Sequence, residues 1–193
     1  MRRVLSMGCG FSVPAFAATT TGGMFTTFRR FRHLGMAAIL LLSAPARGEA
    51  VEAVVIAVAD FDYTDTSGEV RDQQAEHAAR LAAFVGAVRA DLAGSAKFRV
   101  VALDCPKAPC SAAQSSPAEL IADARRTGAK LLLYGGIQKM STLIQQMKAQ
   151  VVDLEADKLV FDRLMSFRGD SDDAWQHAER FLVREILSDT LSR

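Results

Sequence analysis

The chain contains few cysteines, no long apolar run and, before Glu49, no acidic residue. Three cysteines in 193 residues exclude a scaffold that is held together mainly by disulfide bonds. The longest apolar stretch is about half of the roughly 20 residues that a membrane-spanning helix needs. After Ala50 the chain has 21 acidic against 17 basic residues, and no basic stripe with interleaved aromatic residues occurs. We therefore expect no nucleic-acid partner.

The amino-terminal part is basic, whereas the rest of the chain is slightly acidic. From Met24, three arginines (Arg29, Arg30 and Arg32) precede the apolar run over residues 34–42, and small residues follow it. This order is typical of a secretory signal peptide, which is removed on export. We predict an upstream extension over residues 1–23, a signal peptide over residues 24–48 and one periplasmic domain over residues 51–193. The alternative is an uncleaved membrane anchor, for which the apolar run is short.

Two of the three cysteines, Cys105 and Cys110, lie close together in the predicted domain. In an exported protein such a pair usually forms a disulfide bond. A redox-active pair usually has two intervening residues at a helix start, and here there are four. A zinc site needs about four ligands, and no second pair of Cys or His stands at ligand spacing. We predict a structural disulfide, with a catalytic dithiol or half of a metal site as the alternatives.

The apolar pattern of the domain predicts alternating strands and helices. A β-favouring run over residues 51–63 indicates a central strand, and strands over residues 97–103 and 130–136 follow, each after a helical segment. Crossovers of this kind make the first three strands parallel. Alternation over residues 147–154 and 159–167 predicts a hairpin, and a closing helix begins near Asp170. The expected fold class is α/β with mixed α+β character: a single mixed sheet of about five strands with three helices, in the order β-α-β-α-β-β-β-α.

Two local signals refine this prediction. Ser116 and Glu119 stand at the spacing of a capping box, with Pro117 between them, and so predict the start of the second helix. Gly135 and Gly136 follow a strand but lead into no helix, so they do not form a phosphate-binding loop. Paired glycines in this position indicate a bulge or the close approach of another backbone.

Several stretches resemble a known family. They are "VVIAVADFDYTDTSGE", "KFRVV", "GAKLLLYGGIQKM" and "AQVVDLEADKLVFDRLMSFRGD", and the resemblance covers about residues 54–191. The family is an exported bacterial domain family of unknown function, which is similar to the amino-terminal domain of TolB and to the curli-secretion lipoprotein CsgG. The resemblance implies a non-enzymatic envelope protein that acts through protein contacts. Its partner would be an envelope protein, for which a quinoprotein dehydrogenase system is one candidate.

An acidic cluster, Asp60, Asp62 and Asp65, lies at the carboxyl end of the first predicted strand, where ligands often bind in α/β sheets. The calcium-loop pattern is not met, because Asp65 stands where that loop needs glycine and Arg71 where it needs glutamate. We interpret the three residues as exposed carboxylates at a strand end. The alternative is a ligand or metal site in an accessory binding protein or a cryptic enzyme.

The last part of the predicted sheet carries an amide-rich polar face. Its residues are Gln138, Gln146, Lys148 and Gln150, which alternate with apolar residues in the hairpin region. Such a face, or a strand edge beside it, can accept another chain by polar contact or by backbone pairing. An ordinary solvated sheet face is the alternative.

No set of residues combines into a catalytic site. Ser111 and Ser141 lack the nucleophile motif of serine hydrolases and have no recognisable base. His77 lies on the apolar side of its predicted helix, which favours a partly buried core histidine. We therefore expect no enzymatic activity, no resident metal and no cofactor.

Overall fold

The computed structural model describes residues 52–189. The predicted upstream extension and signal peptide lie outside these residues and stay predictions. Nine elements follow one another along the chain: β1 (Val54–Val58), β2 (Asp62–Asp65), α1 (Gln74–Gly94), β3 (Phe98–Val101), α2 (Pro117–Arg126), β4 (Leu131–Lys139), β5 (Ile144–Asp153), β6 (Lys158–Arg168) and α3 (Asp172–Asp189).

The strands form one mixed sheet with the order β3-β1-β4-β5-β6, and β2 lies beside the second half of β4. β1 runs parallel to β3 and β4, and β2 also runs parallel to β4. β4, β5 and β6 form an antiparallel meander. The predicted fold class, a mixed sheet with three helices, is confirmed.

The sheet has six strands because the opening apolar segment forms two of them. Val58 pairs with Leu133 and Asp62 pairs with Gly136. Between these two pairs the opening segment has three residues, whereas β4 has only two. The extra residue interrupts the hydrogen-bond ladder, as a β-bulge does. At this interruption the backbone N–H of Asp60 donates to a loop outside the sheet. The segment then resumes its pairing with β4 as β2.

Gly135 lies in β4 at the point where Phe61 crosses the strand. A Cβ atom at Gly135 would lie 2.8 Å from Cε1 of Phe61 and 2.3 Å from the carbonyl oxygen of Lys148. Both distances are far below van der Waals contact, so the close approach predicted from the paired glycines is confirmed. β4 passes through the glycines and ends at Lys139 instead of at Gly136.

Helices cover both sides of the sheet. α1 and α3 pack on one side and enclose the larger core, which contains Phe61, Phe84 and Trp175. α2 packs on the other side over a smaller core around Leu132. This second helix begins with the predicted capping box, in which Glu119 Oε2 accepts from the Ser116 backbone N–H at 2.7 Å. None of the helices within residues 52–189 is long and apolar enough to cross a membrane.

Candidate functional site

The polar face predicted from the sequence is assembled by the register of β4 and β5. Gln138 pairs with Gln146, and Lys148 and Gln150 lie further along β5 at every second residue. Because successive side chains of a strand point to opposite sides, these four residues share one side of the sheet. We call them the polar sheet face. It lies on the same side as α2, but α2 packs over the neighbouring part of the sheet around Leu132.

The polar sheet face contains a shallow groove of about 210 Å³ at Gly136, where β4 has no side chain. Asp62 and Thr64 of β2 line one side of it, and Lys148 and Leu164 line the other. Leu164 is 63% exposed although it is a large apolar residue. Lys148 forms an ion pair with Asp162 of the neighbouring strand. The face therefore combines amides, an ion pair and one exposed apolar side chain.

The acidic cluster is divided by the structure. Asp60 Oδ2 accepts from the backbone N–H of Cys110 at 2.8 Å, and its Oδ1 accepts from Arg89 at 2.9 Å. Asp62 Oδ2 accepts from the backbone N–H of Ala113 at 2.9 Å. These two carboxylates therefore bind the loop that follows β3.

Asp65 is the third member of the cluster, and its side chain hydrogen-bonds to a residue two positions along the chain. Its Oδ1 accepts from the backbone N–H and the hydroxyl of Ser67 at 2.8 and 2.7 Å, and these hydrogen bonds lower the pKa of Asp65. Within residues 52–189, no group of three or more His, Cys, Asp or Glu residues is arranged to hold a metal ion. The ligand or metal role of the cluster, the alternative that the sequence left open, stays a prediction.

Cys105 and Cys110 are joined by a disulfide bond, with their Cα atoms 5.6 Å apart. Cys110 is also bound on both sides of its backbone to Asp60: its N–H donates to the Asp60 carboxylate, and its carbonyl accepts from the Asp60 N–H. The disulfide and these hydrogen bonds together fix the path from β3 to α2 over the end of β1.

A buried polar cluster beyond the sequence prediction lies at the ends of β2 and β4. Lys139 is 1% exposed, and its Nζ donates to Asp170 at 2.8 Å, to Gln73 at 2.6 Å and to Glu69. His77 Nε2 lies 2.8 Å from the same Asp170 oxygen. We call Glu69, Gln73, His77, Lys139 and Asp170 the Lys139 cluster.

Electrostatics keep the central pair of this cluster charged. Burial acts to lower the pKa of Lys139, but hydrogen bonds to Asp170 and Glu69 outweigh it, so the pKa is raised. Burial acts to raise the pKa of Asp170, but hydrogen bonds from Lys139, His77 and Gln145 hold it well below its usual range. A lysine that stays protonated and an aspartate that stays ionised are poor agents of proton transfer at neutral pH. The cluster instead joins β4, α1 and the start of α3.

The sequence carried one signal for this cluster. In β4, Leu133, Ile137 and Lys139 are separated by even numbers of positions and lie on the core side, so a lysine occupies an inward position. The sequence prediction ended this strand at Gly136 and therefore missed the inward lysine. His77 is buried as predicted, at 2% exposed, but it contacts a carboxylate as well as apolar neighbours.

The comparison with protein families gives a match over most of the described domain. The family model for DUF3280, described as "Protein of unknown function (DUF2380)", matches residues 54–187. The chain belongs to this family. The expected membership of a family of unknown function is thereby confirmed. No curated protein matches the sequence significantly.

Three solved structures are similar to the chain at low sequence identity. The LpoB C-terminal domain from Salmonella enterica is 15% identical with a TM-score of 0.41, over 60% of this chain and 82% of that chain. TolB from Acinetobacter baumannii is 14% identical with a TM-score of 0.47, over 72% of this chain but only 28% of its own. The hypothetical protein CT253 from Chlamydia trachomatis is 12% identical with a TM-score of 0.50, over 72% of this chain and 99% of that chain. The expected similarity to CsgG stays a prediction.

Proposed function

We propose that the protein is a non-enzymatic accessory protein of the bacterial envelope and that it binds a protein partner through the polar sheet face. The observation that supports this most is that Gln138, Gln146, Lys148 and Gln150 share one side of the sheet, beside the part of it that α2 covers. Amide side chains both donate and accept hydrogen bonds, so they suit a polar, hydrated protein contact.

The exposed Leu164 and the groove at Gly136 give this face an apolar point and a depression. Protein interfaces commonly place a few apolar contacts inside a polar surround. A residue of a partner that enters the groove would contact Leu164 and the amides at once. The face therefore offers a partner a depression to fill as well as groups that form hydrogen bonds.

The edge of the sheet lies next to this face. Within the described sheet, β6 pairs with β5 on one side only, and it is 11 residues long. An edge strand of this length can take up a further strand by backbone pairing. A partner bound to the polar sheet face could thus also pair its backbone with β6.

The predicted signal peptide supports a periplasmic location, and the partner would then be a protein of the envelope. A quinoprotein dehydrogenase system stays the candidate that the family resemblance suggested. The acidic cluster is less suited to binding a partner or a ligand, because Asp60 and Asp62 already accept hydrogen bonds from the loop after β3.

Crosslinking in intact cells followed by purification of the protein tests this proposal. We expect a defined protein adduct that is lost when Gln146, Lys148 and Gln150 are changed together to Glu. The matched control changes Asp60 and Asp65, which do not line the groove, to Asn and should keep the adduct. If the Asn variant loses the adduct and the Glu variant keeps it, the acidic cluster is the binding site and the proposal is wrong.

A further inference from the structure

A second candidate site lies between α1 and α3, on the side of the sheet opposite the polar sheet face. The two helices form the walls of an open groove of about 750 Å³. α1 contributes Ala79, Ala83 and Phe84 to its walls, and α3 contributes Trp175 and Glu179. The alanines leave space where larger side chains would fill the groove, and the aromatic rings make its floor apolar. Small-molecule sites commonly have volumes of roughly 300 to 1,000 Å³ and mostly apolar walls with a few polar groups.

Glu179 is the buried polar group of this groove. It is 3% exposed, and its Oε1 has no hydrogen-bond partner among residues 52–189. A carboxylate oxygen that has lost water without gaining a donor is destabilising. Burial, followed by the charge of Asp91, raises the pKa of Glu179 to about 7, whereas Arg180 acts in the opposite direction. Glu179 is therefore a carboxylate that ionises near neutral pH and lacks a donor.

The charges around the groove favour a cationic ligand. Six charged residues line it: Glu76, Arg80, Asp91, Asp172, Glu179 and Arg180. Four carboxylates against two guanidinium groups give a formal excess of two negative charges. Arg80 is already engaged, because its Nε donates to Asp172 at 2.8 Å. A positive group that enters the groove would meet a negative rim and an unpaired buried oxygen.

We propose that this groove binds an apolar ligand that carries one primary ammonium group. The ammonium would donate to the carboxylate of Glu179, and the apolar part would lie between Ala79, Ala83 and Trp175. An ammonium has three N–H donors, and its hydrogen bonds to a carboxylate are charge-assisted. The site does not include the polar sheet face, so it adds a ligand to the proposed protein contact and does not depend on it.

Trp175 makes the test direct, because it is the only tryptophan of the chain. Octylamine is titrated into the intact mature protein at pH 8, below the concentration at which it forms micelles, and tryptophan fluorescence and calorimetry are recorded. We expect saturable binding of octylamine. Binding of octanol should be weaker by about tenfold or more, the effect of losing one charge-assisted hydrogen bond, and octanoate should not bind.

Two variants separate the carboxylate from the apolar walls. Glu179→Gln should weaken octylamine binding by about tenfold or more and leave octanol binding unchanged. Glu185→Gln, on the same helix but outside the groove, should change neither. Ala83→Phe should block both compounds, because it fills the groove without altering Glu179. Circular dichroism confirms that each variant is folded before it is titrated.

The pH dependence gives an independent readout. Octylamine stays protonated between pH 6 and pH 8, whereas Glu179 takes up a proton over this range, so octylamine binding should weaken as the pH falls. In Glu179→Gln this dependence should disappear. Equal affinity for octylamine and octanol, unchanged affinity in Glu179→Gln, or no octylamine binding would each overturn the proposal. Glu179-dependent binding of a lysine-bearing helical peptide without octylamine binding would overturn it as well, in favour of a protein-docking groove.

Discussion

Lys139 Nζ lies 2.8 Å from Asp170 Oδ2, so a buried strand end is bound to a residue two positions before α3. Removing one member of a buried ion-pair network is destabilising. Without the Asp170 charge, Lys139 keeps only Glu69 as a counter-charge, and Arg80, which donates to Asp170 at 3.1 Å, loses a partner as well. We expect Asp170→Asn to lower the free energy of unfolding by about 3 kcal/mol, measured by urea denaturation at pH 7. Asp173→Asn is the control, because the Asp173 side chain is 80% exposed. Equal stability of the two variants would show that the Lys139 cluster does not stabilise the fold.

The same pair predicts how stability depends on pH. Although burial alone would raise the pKa of Asp170, its hydrogen bonds hold that pKa well below the usual range in the folded protein. Its contribution is therefore complete above the unfolded-state pKa of about 4 and is lost as the pH falls towards the folded-state pKa. The stability difference between the unmodified protein and Asp170→Asn should shrink as the pH is lowered from 5 to 2. A difference that stays constant over this range would contradict the assignment.

Gly135 and Gly86 form a matched pair for the close approach in β4. A Cβ atom at Gly135 would lie 2.3 Å from the carbonyl oxygen of Lys148, whereas one at Gly86 in α1 would meet nothing within 4 Å. We expect Gly135→Ala to destabilise the protein by about 2 kcal/mol or more, as other overpacking changes do. Gly86→Ala should be neutral or stabilising by up to about 1 kcal/mol, because alanine favours a helix interior. Urea denaturation of both variants checks this, and a tolerated Gly135→Ala would mean that Phe61 does not cross β4 as described.

The elements that the sequence predicted well have local signals. The capping box at Ser116 and Glu119 needs residues only three positions apart, and the apolar periodicity of α1 and α3 is set within each helix. The division of the opening segment into β1 and β2 had no such signal. It depends on the pairing with β4, more than 70 residues away, and on the loop that binds Asp60.

The candidate sites also differ in whether local sequence signals or long-range contacts determine them. The polar sheet face could be predicted because Gln146, Lys148 and Gln150 alternate within one strand, although their partner Gln138 is placed by the register. The Lys139 cluster could not, because Lys139 and Asp170 are brought together by tertiary packing across 31 residues of chain. Glu179 likewise reads as an ordinary helical glutamate until α1 packs beside it and removes it from water.

The disulfide between Cys105 and Cys110 closes a short loop, so its effect on stability should be modest. Changing both residues to Ser should lower the free energy of unfolding by about 2 kcal/mol or less, by the chain-entropy estimate for a loop of this length. Mass spectrometry of the protein isolated from its own cells, without reductant, should find the two cysteines two hydrogens lighter than free thiols. If both cysteines react with an alkylating agent in the native protein, the structural role fails and a redox or metal role gains support.

Site-specific photocrosslinking shows whether a partner binds the polar sheet face. A photoreactive residue is placed at Gln146 in the polar sheet face, or at the exposed Ala82 of α1 on the opposite side of the sheet, and cells are irradiated before the protein is purified. We expect one protein adduct of defined mass from position 146 and none of that mass from position 82. The adduct at 146 should also disappear when Lys148 and Gln150 are changed to Glu. Adducts from position 82 alone, or the same adduct from both positions, would contradict the claim that the protein binds its partner through the polar sheet face.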